Sequence, residues 1–116
     1  MPAPGAPAWR AVLAALVLAI CWLAFDPAPP SSVDTGWDKA NHALAFAAVG
    51  VVARLAWPAA GALRLFAGGL AYGAFIEIVQ SQVPGRSAEW SDLLADAAGL
   101  VVGLLLMRLP GLRPRR

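Results

Sequence analysis

The sequence predicts an all-α membrane protein: four transmembrane helices in an up-down bundle with both termini cytoplasmic. Composition is the first reason. Of 116 residues, 59 % are hydrophobic and 14 % charged, with a mean hydropathy of +0.65, whereas a soluble domain carries roughly 25 % charged residues. The second reason is four recurring apolar blocks, and the third is a sorting of charge between their ends. A formal charge of +2 and a single cysteine exclude a basic nucleic-acid binder and a disulfide scaffold. The apolar content excludes a disordered chain.

The first block, 8–25, follows a short tail, 1–7, that reads as flexible, and it stops at the Pro27–Pro30 run, since proline removes a donor and breaks a helix. Cleavage of this block as a signal peptide is the alternative, with Ile20 before Cys21 a poor lipoprotein site. The second block, 41–57, ends at Pro58. The third, 63–80, ends before Pro84-Gly85, and the fourth, 91–109, before Pro110-Gly111 and a basic tail, 110–116. Residues 8–109 thus form one membrane domain. All four blocks are apolar nearly all round, as in a lipid-facing helix rather than one on a soluble core. The longest stretch without a charge, Ala11–Phe25, has 15 residues, short of the roughly 20 that a span needs. Each span must therefore carry charges at its ends.

Alternating helices place Arg10, Arg54, Arg64, Arg108, Arg113, Arg115 and Arg116 on one side and only Lys39 and Arg86 on the other. Basic residues stay cytoplasmic, which puts both termini and the Pro58 turn inside an inner membrane. Arg10, Arg54, Arg64 and Arg108 can snorkel to headgroups and need no functional role. Trp9 and Trp57 then fall at the inner interface and Trp22, Trp37 and Trp90 at the outer one. Gly69/Gly73 and Gly99/Gly103 have the spacing that lets helices approach closely, within the chain or in a homodimer.

All seven acidic residues lie on the outer side. Asp26, Asp34 and Glu89 read as solvated loop charges. Asp38 and His42 are four apart on the second block, Glu77 and Gln80 three apart at the end of the third, and Asp92 and Asp96 four apart on the fourth, so each pair shares a helix face. Asp38, Ser91 and Asp92 also suit helix caps or helix-dipole charges, Lys39 an interface anchor, and a lone His42 a satisfied structural histidine. Glu77 sits where the helix dipole disfavours an anion, so Arg86, Lys39 or a proton should compensate it. Polar residues at membrane depth face the bundle interior and mark sites. The expected product is a polar outer-leaflet pocket of Asp38, Lys39, His42, Glu77, Gln80, Arg86, Asp92 and Asp96.

These residues carry a resemblance. Asp38-Lys39-Ala40-Asn41-His42-Ala43-Leu44-Ala45-Phe46 resembles the DKxxHxxxF signature of the VanZ-like family of small bacterial membrane proteins. Glu77-Ile78-Val79-Gln80 resembles its ExxQ, and Arg86, Ser91-Asp92, Asp96 and Gly99 follow its R-through-D-to-G spacing. The similarity covers Asp38 to Gly103. That family usually carries Asn where this chain has Asp96, and the extra acid is open to protonation or to pairing with Arg86 or His42. The resemblance implies a bacterial cell-envelope role, the family name coming from teicoplanin resistance, and no defined reaction.

Three functions are compatible with the pocket. The leading one is binding of a lipid headgroup, a lipid-linked cell-wall precursor or a glycopeptide, with Lys39 and Arg86 on phosphate and Gln80 and the carboxylates on hydroxyl groups. A membrane-surface enzyme is the alternative, with His42 oriented by Asp38 and Glu77 or Asp92 as a second acid or base. A small proton-linked transporter is the third, opposed by inner half-spans that hold only Tyr72 as a mid-span polar group. No cofactor is expected; a divalent metal on His42, Glu77, Asp92 and Asp96 is a weak alternative. Membrane lipids are the expected partners, and nucleic acid is not one.

Overall fold

A computed structural model describes residues 4–28, 35–86 and 88–114. Its four helices are α1 (Ala6–Phe25), α2 (Asp38–Ala56), α3 (Ala62–Gln80) and α4 (Trp90–Leu106), and the described residues contain no strand. The expected tail at 1–7 is partly helical: α1 starts at Ala6, with Pro7 in the first turn, where a missing N–H is harmless. Helix α2 starts three residues before the expected 41. Helix α4 stops at Leu106 instead of 109, after which Met107 takes up the last-turn bond to the Gly103 carbonyl. Asp34, Pro29, Pro30, Arg115 and Arg116 lie outside the described residues.

Two of the helices, α1 and α3, are long and apolar enough to cross a membrane. Helix α2 includes Asp38, Lys39 and Arg54, and α4 has 17 residues with Asp92 and Asp96 among them. All four nevertheless show large apolar side chains outward, including Leu18, Leu44, Phe75, Ile78, Leu94 and Val102. Helix α4 gives the clearest case: Asp92 is 1 % and Asp96 0 % exposed, while Leu94 between them is 74 % exposed. Leucine outside and aspartate inside reverses the usual order of a water-soluble protein.

Successive helices run in opposite directions, as expected of an up-down bundle, but the closest pair is not sequential. Helices α2 and α4 run parallel and touch along their length, with α1 against α2 and α3 against α4. Glycine explains this. A Cβ on Gly99 would overlap the Ala43 carbonyl oxygen, and one on Gly103 would overlap that of Ala47; Gly50 faces the Leu100 carbonyl oxygen in turn. The Gly99/Gly103 spacing thus serves a contact within the chain. Gly69 meets Leu100 and Gly73 meets Asp96, Leu93 and Phe46, so the second glycine pair also faces α4. A small apolar core of Ala24, Phe46, Val49, Ile76 and Leu100 lies beneath the polar end.

Arg10 and Arg54, at the opposite end, bond to the backbone at the end of α2 and in the α2–α3 connection. Arg10 Nε donates to the Ala56 carbonyl at 3.0 Å, and its guanidinium stacks 5.3 Å over the Trp57 ring. Arg54 Nη1 reaches the carbonyls of Pro58 and Ala60. Both satisfy carbonyls that the end of α2 and the following turn leave open. The Tyr72 hydroxyl donates to the Val17 carbonyl at 2.7 Å, tying α3 to α1 at mid-depth.

Candidate functional site

Three helix ends meet where the sequence pairs its polar residues. The first turns of α2 and α4 and the last turn of α3 come together because α2 and α4 run parallel while α3 opposes them. The α2 turn is held by Thr35, whose hydroxyl donates to Asn41 Oδ1 at 2.7 Å and whose backbone N–H donates to the same oxygen at 2.9 Å. The residues that cap α2 and α4 are Trp37 and Glu89, and neither makes a side-chain cap bond. The capping role open to Asp38, Ser91 and Asp92 is therefore not the one adopted. Asp38 and Asp92 stand in the first turns, where the helix dipole favours an anion.

His42 is the centre of the cluster. Its Nδ1 lies 2.8 Å from Asp96 Oδ1 and 3.9 Å from Glu77 Oε1. Its Nε2 lies 3.7 Å from both Asp38 Oδ2 and Asp92 Oδ2. Four carboxylates from three helices thus surround one imidazole. Glu77 is 3 % exposed, and neither of its carboxylate oxygens has a hydrogen-bond partner; Asp92 Oδ2, Asp96 Oδ2 and Gln80 Oε1 are buried and unpartnered as well. Such atoms are costly to bury.

The cations lie elsewhere than the sequence suggested. Lys39 Nζ donates to Asp92 Oδ1 at 2.8 Å and to Glu89 Oε2 at 3.3 Å, so its ammonium is engaged inside the protein. Glu89, expected to be a solvated loop charge, is exposed just before α4 and is also one end of that bridge. Asp26, expected to be solvated as well, accepts the Ala28 backbone N–H at 2.9 Å in an exposed turn. The pairing of Glu77 with Lys39 or Arg86 does not occur: Arg86 forms an ion pair with no carboxylate among the described residues. Gln80 Nε2 turns towards α1 and donates to the Ala24 carbonyl at 3.0 Å.

Arg86 instead lines a cavity of about 240 Å³. The polar part of its lining is Thr35, Asp38, His42 and Gln80, and the apolar part includes Ile20, Leu23, Leu44 and Ile76. Sequence reasoning did not anticipate the α1 wall or Thr35 in the polar lining. No periodicity marks α1 residues as lining residues when the whole helix is apolar. Gly73 was read only as a packing glycine. It stands four residues before Glu77 on the same face of α3, and a Cβ there would sit 2.7 Å from Asp96 Oδ2, so its absence leaves room for that carboxylate.

Among proteins with curated descriptions and among solved structures, none matches the chain. The family model VanZ/LLP1 matches residues 12–111, which takes in most of α1, the whole of α2, α3 and α4, and every residue of the polar cluster. This chain belongs to the VanZ/LLP1 family.

Proposed function

We propose that the chain is a four-span inner-membrane protein of the bacterial cell envelope, N-in and C-in, that binds an amphiphilic, lipid-linked envelope component at the outer leaflet. The cavity carries this reading, because its lining combines apolar walls from α1, α2 and α3 with polar residues and Arg86. An acyl or polyprenyl chain fits the apolar part, and the guanidinium suits a phosphate or other anionic headgroup. Gln80 Oε1, buried without a partner, is an acceptor for a sugar hydroxyl. Lys39 is not a headgroup ligand in this reading, since Asp92 and Glu89 hold it. A glycopeptide-resistance role would follow if the bound component is a cell-wall precursor.

The four-span arrangement is supported by the outward leucines of every helix and by the arginines gathered at the end opposite the cluster. At 1.5 Å per residue, the 19 residues of α2 or α3 reach about 28 Å, close to the hydrocarbon thickness. The domain then occupies residues 8–109.

The test is mass spectrometry of lipids that co-purify with wild type and with Arg86→Ala. Loss of one lipid-linked species from the variant, with the bulk phospholipid unchanged, is the expected result. Equal yields from both proteins reject the reading. One observation favours a second reading, a membrane-surface hydrolase. His42 is oriented by Asp96 at 2.8 Å while its other ring nitrogen faces the carboxylate of Asp38 in the cavity lining, an arrangement suited to general base work. Turnover of a lipid-linked phosphate ester that His42→Ala abolishes would select it.

A further inference from the structure

The acidic excess around His42 poses a problem that headgroup binding leaves unsolved. Lys39 neutralises Asp92, and Arg86 lines the cavity. Glu77 and Asp96 then remain buried against a single imidazole, with both oxygens of Glu77 and Oδ2 of Asp96 unpartnered. A carboxylate in such a place calls for a proton or a compensating positive charge, and a shared cation is the one of the two that engages the unpartnered oxygens of both residues. No Lys or Arg among the described residues pairs with either carboxylate.

We propose that His42 Nδ1, Glu77 and Asp96 hold one divalent transition-metal cation, of the Mn²⁺ or Zn²⁺ class, at the junction of α2, α3 and α4. Their donor atoms lie within 4.8 Å of one another. Donors about 2.0–2.2 Å from a shared cation stand roughly 3–3.5 Å apart, and the observed separations of 2.8 Å and 3.9 Å from Nδ1 bracket that range. Two carboxylates and one imidazole form a mixed oxygen and nitrogen set, which selects a borderline first-row ion over an oxygen-only Ca²⁺ or Mg²⁺ cage.

Two surrounding features favour the same atoms. Metal binding at Nδ1 places the imidazole proton on Nε2, where Asp38 Oδ2 and Asp92 Oδ2 both lie 3.7 Å away; these carboxylates stand beyond hydrogen-bond distance and favour the proton on that nitrogen electrostatically. Gly73 keeps the space beside Asp96 Oδ2 open, since a Cβ there would come within 2.7 Å. His42 also lines the cavity, so a ligand in the cavity could take an open position on the cation.

The test uses the untagged full-length chain in detergent, stripped with a chelator and titrated with Mn²⁺ and, separately, Zn²⁺. Wild type should bind one equivalent per chain. Bound Mn²⁺ should show imidazole nitrogen coupling by pulsed electron paramagnetic resonance, and the only histidine in the chain is His42. Glu77→Gln and Asp96→Asn should each weaken binding by at least about tenfold, the loss that even an outer partner of a metal ligand causes, while Asp38→Asn should weaken it less. Absence of stoichiometric binding at millimolar concentrations of both ions, or binding without nitrogen coupling, would overturn the proposal. So would loss of binding in Asp38→Asn with full binding in Glu77→Gln, which would place the ion on the Nε2 side. The wild-type spectrum decides whether His42 is a ligand even if a variant fails to fold, the comparison of Glu77→Gln with Asp38→Asn decides between the two sides of the ring, and lipid retention by Arg86→Ala is read independently.

Discussion

His42 and Asp96 lie 54 residues apart and meet through Nδ1 and Oδ1 at 2.8 Å, across the parallel interface of α2 and α4. That contact joins the two helices at the polar end, while Gly99 and Gly103 join them farther along. Asp96 is fully buried, so the partner of His42 cannot be replaced by water. In the metal-free protein, with the ring proton on Nδ1, Asn at position 96 would still accept it through its amide oxygen. Asp96→Asn should therefore keep the fold, within about 1 kcal/mol of wild type, whereas Asp96→Ala should cost about 1–3 kcal/mol by stranding the imidazole. Chemical unfolding in detergent micelles, followed by circular dichroism, measures both; equal losses would show that the hydrogen bond contributes nothing.

The glycine interface gives a contrast between two substitutions of the same kind. Gly99→Ala pushes a methyl group into the Ala43 carbonyl, and backbone on both sides leaves little freedom to shift. Overpacking of this sort costs about 1–3 kcal/mol. Gly68 has nothing within 4 Å of its virtual Cβ, and Gly68→Ala should be neutral or stabilising by up to about 1 kcal/mol through helix propensity. A thermal-shift comparison of the two variants checks the sign, and stabilisation by Gly99→Ala would refute the close approach.

Tyr72→Phe removes one hydroxyl and the 2.7 Å bond to the Val17 carbonyl without altering ring packing against Phe46 at 5.7 Å. A neutral hydrogen bond contributes about 0.5–1.5 kcal/mol, and the loss should fall on the attachment of α1. Hydrogen exchange of α1 amides should quicken relative to those of α2 and α4. Uniform quickening across all four helices would argue against a local tie.

Lys39→Met leaves Asp92 buried with an unmet charge and should lower the melting temperature. The double substitution Lys39→Met with Asp92→Leu should recover part of the loss, because removing both partners of a buried pair is often neutral. If the double variant is less stable than the sum of the singles, the bridge is not an isolated pair.

Orientation is tested by cysteine labelling after Cys21→Ala. Gln82→Cys, on the exposed turn beside the cluster, should react with a membrane-impermeant maleimide in intact cells, and Ala59→Cys, on the exposed α2–α3 turn, should react only after lysis. The opposite pattern would invert the topology and move the cavity to the cytoplasmic leaflet.

How much of this could be read from the chain depends on the range of the interaction concerned. Helix positions follow from proline stops and apolar runs, which act locally, and the errors are confined to ends: Pro7 is accepted inside the first turn of α1, and Asp38 begins α2 earlier than the apolar pattern. The same-face pairs Asp38/His42, Glu77/Gln80 and Asp92/Asp96 also follow from helical periodicity alone. Partner choice does not. The sequence offered Lys39 as a partner for Glu77, and only the parallel packing of α2 on α4 puts its ammonium on Asp92 and Glu89 and leaves Glu77 unmatched.

By itself the sequence determined four helices, their breakers, the sorting of charge to the two ends and the residues of the polar cluster, because each rests on spacing along one chain. The tertiary structure alone decided that α2 and α4 are the closest pair, since the overlap of Gly99 with Ala43 and of Gly103 with Ala47 is a matter of backbone distance. It also decided that His42 is surrounded by four carboxylates and that Arg86 opens onto a cavity walled by α1. Those outcomes depend on how helices far apart in sequence meet, and a residue's own neighbours along the chain do not encode them.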